Sequence, residues 1–428
     1  MLFEHIDYLD ENYNVQKDAF IGIKDGKISY IGKERPEGDW NEVYDGRHGL
    51  MVSGFVNAHS HAPMVLLRGY GENLPLDRWL NEKIFPFEDK LTDESISAAT
   101  TLACAEMIRF GTVSFSDMYF FSQTMAKSIL ASGMKCNLSR GLTVFSDQDY
   151  EQLPAYNDNV DLIKNYQNAG NGRLKIDFCI HGEYTTTPKV VKALADHAKQ
   201  ENVNVHIHLS ETQKEHEECK QRHGKTPAQY FADLGLFDQP TTAAHCVWVE
   251  DNDIDILKKY GVTVACNPVS NMKLASGFAP IAKMLDKGVN IALGTDGCAS
   301  NNNLNIMQDL YLFSMLYKGV TGDPTVVTPK QALMAITENG FASQGRLDSG
   351  KIKVGQKADI IVLNTDVPYM YPQTDIVCNL VYSAQGNDVK LTMVDGKVLY
   401  KDGEYLTIDI ERAKAQTQMY TDAILQQL

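Results

Sequence analysis

Between about residues 50 and 345, short apolar runs alternate eight times with stretches of helical pattern. The runs are MVSGFVNA, TVSFSD, KCNLSRGL, LKIDFCIH, VNVHIHLS, TTAAHCVW, VTVACNP and VNIALGTD. Segments such as PKVVKALADHAKQ, TPAQYFADLG and DNDIDILKKYG lie between them with helical periodicity. Strands that alternate with helices pair in parallel, because each helical crossover returns the chain to the same end of the sheet. Eight such units predict a closed (β/α)8 barrel of the TIM type over residues 50–345, not an open doubly wound sheet. A barrel needs about 250 residues, and the 428 of this chain leave room for an accessory domain.

The two ends of the chain share a different texture. KDAFIGIKDGKISYIGK reads as a hairpin turning at Asp25-Gly26, and LTMVDGKVLYKDGEYLT, after KADIIVLN, turns at Asp395-Gly396 and Asp402-Gly403. One small β-sandwich-like domain is expected from residues 1–49 and 346–428, ending in a helix over about 409–427.

Charge narrows the partners. With 40 basic against 55 acidic residues the formal net charge is −15, which repels nucleic acid and anionic membranes alike. A nucleoside, lacking phosphate, is still admitted. No apolar run reaches the roughly 18 residues of a membrane span, and the first residues, MLFEHIDYLDENYNVQ, lack signal-peptide character. Eight cysteines without a CxxC pair read as reduced thiols, so the cytoplasm is the expected compartment. Phosphate loops of the GxxxxGK and GxGxxG kinds are missing, which argues against nucleotide-triphosphate and dinucleotide chemistry.

In a (β/α)8 barrel the C-terminal ends of the strands converge on one face, where active sites form. His59 and His61 fall at the end of the first strand, His181 of the fourth, His208 of the fifth with Glu211 just beyond, His245 of the sixth and Asp296 of the eighth. Residues at i and i+2 of a strand share a side, so His59 and His61 can bind one ion, and imidazole suits zinc, iron or nickel. An HxH pair can also be two hydrogen-bonded histidines; the further ligands favour the metal. His208 is the third ligand, whereas His206, deeper in the same strand, reads as a barrel-interior histidine. Asp296 completes the coordination. Glu211 is placed to take a proton from water on the ion and return it to a leaving group, a role that a non-ligand glutamate has in zinc deaminases of other folds; a lone loop glutamate is otherwise a solvated carboxylate. His245 can polarise the bond under attack, its alternative being a capped core histidine. An ion so held lowers the pKa of bound water from 15.7 to about 7. Lys175 lies at the beginning of its strand, on the far side of the barrel, so one metal ion is expected and not two.

Taken together, NAHSHAPMVLLRG, HLSET, AAHCVW, NPVSNMKLASG and LGTDGCASNNNLNIM resemble the amidohydrolase superfamily. More narrowly they resemble the 5-methylthioadenosine/S-adenosylhomocysteine deaminases and their chlorotriazine-hydrolase relatives. The resemblance implies one metal ion, usually zinc and sometimes iron, on His59, His61, His208 and Asp296, with Glu211 and His245 in proton transfer and orientation. It adds substrate contacts: Trp79 as an aromatic wall, Glu88 on the ribose hydroxyls, His181 near the base or ribose, and Arg140 lining the pocket. Each has a bland counterpart, with Trp79 as lid packing, Glu88 as a solvated helix residue and Arg140 as a salt-bridge partner at the barrel mouth. After Arg140 no arginine follows until Arg173, where relatives use more than one towards the amino-acid end of S-adenosylhomocysteine. Glu183 adds a carboxylate that would disfavour an anionic tail.

The expected activity is hydrolytic deamination of an adenosine-type nucleoside (adenosine, 5′-methylthioadenosine or S-adenosylhomocysteine) to the inosine-type product and ammonia. The alternatives are a deaminase or dechlorinase of another heterocycle, such as guanine, a pterin or a triazine, and a non-catalytic barrel used for assembly. The partner is then a small heterocyclic amine, and the resemblance admits a homo-oligomer.

Overall fold

The computed structural model describes residues 1–146 and 148–428. Its strands, in chain order, are β1 (Leu2–Leu9), β2 (Val15–Lys24), β3 (Lys27–Gly32), β4 (Val43–Asp45), β5 (Gly49–Ser53), β6 (Phe55–His61), β7 (Thr112–Tyr119), β8 (Lys135–Arg140) and β9 (Leu174–Ile180). They continue with β10 (Val205–Leu209), β11 (Thr241–His245), β12 (Thr263–Cys266), β13 (Asn290–Leu293), β14 (Asp296–Gly297), β15 (Ile360–Asn364), β16 (Val389–Val394), β17 (Lys397–Lys401) and β18 (Glu404–Tyr405).

Strands β6 to β14 form a parallel sheet in the order β13-β12-β11-β10-β9-β8-β7-β6-β14. Its two outer members are consecutive in the chain. β13 pairs with β12, and two residues later β14 pairs with β6, Asp296 opposite Ser60. Strand eight therefore touches strand seven with its first half and strand one with its second, which closes the ring as a TIM-type barrel. Helices such as Asp93–Arg109, Ser122–Ser132, Pro188–Glu201 and Asp251–Tyr260 return the chain between neighbouring strands. The helix Pro188–Glu201 shows why: Thr187 caps its first turn, Pro188 opens it, and Val190, Val191, Leu194 and Ala198 bury one face.

Strands from the two ends of the chain share the other sheet, in the order β18-β17-β16-β15-β5-β1-β2-β3 with β4 beside β1. The turns anticipated from sequence are present. Asp25 and Gly26 (φ 51° and 73°), like Asp395 and Gly396 (46° and 77°), both adopt the left-handed conformation that two-residue hairpins require. Phe3, Ile6, Ile21, Met51, Ile360 and Met393 make an apolar cluster of this sheet's own.

The run MVSGFVNA, read above as one strand, is two. Residues before Gly54 form β5 and pair with β15, and those after it form β6 in the barrel. Gly54 has no room for a side chain, since a Cβ there would lie 2.4 Å from Cγ1 of Val113. The terminal helix, Ile410–Leu425, is capped by Asp409 and packs on the barrel helix Asp93–Arg109. Among the described residues no helix is long and apolar enough to cross a membrane.

Candidate active site

Because β6, β10, β11 and β14 run parallel, their C-terminal residues meet at one end of the barrel. One donor atom each from His59, His61 and Asp296 lie within 4.8 Å of one another, and so do those from His59, His208 and His245. Several groups here sit on backbone that ordinary residues seldom adopt: Ser210, His245, Cys246 and Asp296 have φ of 48°, 70°, 49° and 62°. Left-handed residues of this kind cluster where a site demands a particular side-chain direction.

The hydrogen bonds behind the imidazoles fix which nitrogen faces the centre. Nδ1 of His61 donates to the Met118 carbonyl at 2.7 Å, and Nδ1 of His208 to the His181 carbonyl at 2.7 Å. A ring nitrogen facing a carbonyl carries the proton, so in the neutral rings both Nε2 atoms are lone pairs. Those two Nε2 atoms nevertheless face each other at 3.3 Å. Oδ1 of Asp296 lies 3.4 Å from Nε2 of His59 and 3.3 Å from Nε2 of His61. Nε2 of His59 is buried with no hydrogen-bond partner, its Nδ1 being 3.0 Å from Nε2 of the interior His206. Four acceptors converge where a cation would resolve their mutual repulsion, and three imidazoles with one carboxylate fit a divalent ion.

The electrostatics agree. Burial drops His59 to about 3; it pulls His61 the same way, but the Asp296 carboxylate outweighs it and lifts His61 to about 9. Burial works against Asp296 as well, yet His59 and His61 hold it well below the usual carboxylate range. The cluster thus takes up one positive charge, as a proton on His61 or as a metal ion.

Glu211 stands beside this cluster. Its Oε2 is 3.7 Å from Nε2 of His245, and Oε1 accepts the Ser276 hydroxyl at 3.2 Å. Burial pushes its carboxyl above the ordinary value, which suits a group that must both take and give a proton near neutral pH. His245 donates from Nδ1 to Oδ1 of Asn271 at 2.8 Å, leaving Nε2 as a lone pair towards Glu211. The hydroxyls of Ser270 and Ser300 donate to Oδ2 of Asp296 at 2.6 and 2.8 Å. Asp117 accepts the Ser60 hydroxyl at 2.8 Å and the Ala62 N–H at 2.7 Å, pinning the chain on both sides of His61. These serines, Asn271 and Asp117 were not singled out from the sequence.

Of the expected substrate contacts, His181 comes nearest the ligands, its ring centroid 4.8 Å from that of His208. Glu88 accepts the Tyr119 hydroxyl at 2.6 Å, and the Tyr119 ring lies 6.3 Å from that of His61. Trp79 is buried in the main core, beside Gly71. Arg140 is held to one side: its Nε donates to Asp158 at 2.8 Å and its guanidinium lies over the Phe120 ring at 5.2 Å. These three residues, with Asp93 and Lys127, line a depression of about 610 Å³ that none of the clustered histidines borders. Glu183 is not the free carboxylate anticipated above. It is 2% exposed and paired with both Arg222 and His223, so its charge is already matched.

Residues 50–399 match the amidohydrolase family. The chain is 44% identical to a 5-methylthioadenosine/S-adenosylhomocysteine deaminase of Dictyoglomus thermophilum, over 86% of each chain. It is 39% identical to a 5′-deoxyadenosine deaminase of Methanosarcina mazei, over 96% of this chain and 94% of that one. Among solved structures, an adenosine deaminase from Xanthomonas campestris with bound zinc superposes with a TM-score of 0.93 at 28% identity, covering 99% of this chain and 98% of that one. An atrazine chlorohydrolase from Arthrobacter aurescens with zinc gives 0.91 at 21% identity, over 98% of this chain and 99% of that one, a likeness of fold.

Proposed function

Because this chain belongs to the amidohydrolase family, we propose that it is a metal-dependent aminohydrolase, releasing ammonia from an adenosine-type nucleoside to leave the inosine-type product. The observation that carries this reading is the convergence of the facing Nε2 atoms of His61 and His208 with Nε2 of His59 and Oδ1 of Asp296, with Glu211 set against His245 at 3.7 Å. The deaminase names of the relatives support the purine 6-amino group as the point of attack.

His59, His61, His208 and Asp296 would hold the ion, which we take to be zinc. When bound, it supplies the Lewis acidity that makes water acidic enough to ionise near pH 7. Glu211 takes one proton of the attacking water to the ring nitrogen, where it stays in the product, and then carries the second, from the added hydroxyl, to the departing amine, which leaves as ammonia. His245, its Nδ1–H fixed by Asn271, holds the incoming oxygen through Nε2. Asp296, an acceptor restrained at Oδ2 by two serines, keeps Oδ1 turned towards the centre. Glu88 would accept the ribose hydroxyls on the oxygen that Tyr119 leaves free, with His181 and Trp79 about the base and sugar. We place Arg140 at the outer edge of the pocket, where Asp158 already neutralises it; this favours a neutral 5′ group over a homocysteine tail. We also propose that the terminal sheet with its own apolar cluster, expected as a small β-sandwich-like domain, behaves as a separate structural unit. The eight cysteines, all free and seven of them buried, fit a reducing compartment, and we assign the cytoplasm.

An ammonia-release assay on zinc-loaded protein with adenosine, 5′-methylthioadenosine, S-adenosylhomocysteine and guanine tests the reading. Turnover of 5′-methylthioadenosine or adenosine ahead of S-adenosylhomocysteine is the expected ranking. Activity confined to free bases, or none at all with metal bound, would reject it. Glu211→Gln should retain stoichiometric metal and lose about 10²- to 10⁴-fold in kcat; near-native turnover would remove Glu211 from the proton path.

A further inference from the structure

The motif NPVSNMKLASG lies between β12 and β13, and the mechanism above leaves most of it without a task. We propose that this segment, residues 267–277, is a single positioning arm that orients all three groups handling protons and oxygen, with Ser276 setting Glu211. The proposal rests on the deaminase reading for its chemistry and on the hydrogen bonds for its geometry.

Pro268 opens a short helix, Pro268–Lys273, whose buried face carries Ser270 and Asn271 on consecutive positions. Ser270 donates to Oδ2 of Asp296 at 2.6 Å, and so turns Oδ1 towards His59 and His61. Asn271 accepts from Nδ1 of His245 at 2.8 Å, which fixes the tautomer with Nε2 open. Beyond the helix, Ala275 (φ 55°) and Gly277 (φ 123°) bend the chain so that Ser276 returns to the site. Gly277 is needed there, as a Cβ would also approach Cγ1 of Val247 at 3.0 Å. Ser276 is then held at three points. Its N–H donates to the Asn271 carbonyl at 2.9 Å, its carbonyl accepts the Trp248 indole N–H at 2.7 Å, and its hydroxyl donates to Oε1 of Glu211 at 3.2 Å.

The three targets come from three different strands: Glu211 follows β10, His245 ends β11 and Asp296 forms β14. Side chains on separate strands do not hold one another's orientation to the fraction of an ångström that catalysis needs. One rigid segment touching all three does. Its contacts are uncharged, so they set direction without adding charge to the centre. Asp296 has a second donor in Ser300, whereas Ser276 is the one hydroxyl donor to the Glu211 side chain among the described residues. Ser276 is therefore the position where the arm has least support from elsewhere.

The experiment is a double-mutant cycle on zinc-loaded enzyme together with visible spectra of the cobalt(II)-substituted protein. Ser276→Ala should lower kcat about 10- to 100-fold while KM, metal content and Tm stay near native. In a Glu211→Gln background the same change should cost less than about threefold, because its route to the chemistry is already gone. Ser270→Ala should shift the cobalt absorption by leaving Oδ2 of Asp296 with Ser300 as its one remaining hydroxyl donor, and Ser276→Ala should not. Equal losses in both backgrounds, a change in KM alone, native kcat, or a Ser270→Ala spectrum identical to native would each overturn the arm. If the native enzyme releases no ammonia from any nucleoside, the deaminase reading fails instead, and the cobalt spectra, which need no substrate, decide the arm by themselves.

Discussion

Glu88 is the carboxylate that the proposed substrate needs in its ionised form, and its surroundings resist that form. Desolvation raises it to about 7, although the Tyr119 hydroxyl donates to Oε1 and pulls the other way. The sign follows directly. Above about pH 7 the carboxylate can accept two ribose hydroxyls, and below it the protonated acid gives up part of that capacity. We therefore expect kcat/KM to fall as pH drops below about 7, and to lose this limb in Glu88→Gln. That variant should also be about tenfold or more weaker at pH 8, the scale of one lost charged hydrogen bond. A pH profile of kcat/KM checks it, best alongside a 2′,3′-dideoxy substrate that has no hydroxyls to offer. Glu211, also raised by burial, adds an acid limb of its own that the variant keeps, so a profile unchanged in midpoint and depth by Glu88→Gln would show that the Glu88 charge does not govern sugar binding. The histidines and Asp296 were legible in the sequence because a barrel turns all its strand ends to one face, so position in a strand already gives position in the site. Asp117, at the end of the run TVSFSD, carried that signal too and was passed over; Ser270, Asn271 and Ser276 carried none. A hydroxyl or amide that braces a ligand looks like any polar residue of a loop until the fold brings it within 3 Å or so. Glu183 failed for a related reason, since its partners Arg222 and His223 lie on a helix of the next unit.

At the scale of elements, the barrel seam depends on Gly294. This residue separates β13 from β14, where strand eight leaves β12 and takes up β6. A Cβ at Gly294 would stand 2.4 Å from Oδ1 of Asn267, 2.7 Å from Cβ of His59 and 2.8 Å from the His59 backbone nitrogen. Backbone cannot move aside as a flexible side chain can, so Gly294→Ala must push β6 away from the seam and carry His59 with it. Such overpacking costs about 1–3 kcal/mol, and the displaced ligand should lower metal occupancy. Thermal unfolding and metal analysis of the purified variant read both effects. Full occupancy at native Tm would mean that the seam has slack, contrary to the close approach seen here. Glycine was also the reason one strand was read where there are two. MVSGFVNA is apolar throughout, and neither hydrophobicity nor β-propensity marks the point where the chain passes between sheets. The switch at Gly54 is dictated by Val113 on β7, a contact almost sixty residues away that a local pattern cannot report.

For the molecule as a whole, the question is how the terminal sheet is fastened to the barrel, which alternating texture at the two chain ends could suggest but not describe. Lys135 opens β8 and is 4% exposed in its side chain; its Nζ lies 2.5 Å from Asp359, which is fully buried, and 2.8 Å from Asp395. Asp359 precedes β15, and Asp395 sits in the turn between β16 and β17, so one ammonium joins a barrel strand to two parts of the sheet. The Ser349 hydroxyl and the Asp395 N–H also donate to the Asp359 carboxylate, at 2.7 and 3.0 Å. Burial would raise Asp359, but Lys135 outweighs it and holds the carboxyl below its usual value. A carboxyl depressed in the fold adds stability above its unfolded pKa and loses it as pH falls through the folded one, so the native protein should weaken in acid, below about pH 4. Lys135→Met removes the lysine and leaves the buried charge, a change expected to cost about 3–5 kcal/mol at neutral pH. The sign of the pH dependence should then reverse. Without the ammonium, burial, the largest influence on Asp359, is opposed only by the hydrogen bonds from Ser349 and the Asp395 N–H; it should then raise the carboxyl, and protonation on mild acidification relieves the unpaired charge. Urea unfolding at pH 7.5 and pH 5 distinguishes the cases: the variant should regain stability at pH 5 relative to native, and parallel losses at both values would show that this ion pair does not hold the sheet to the barrel.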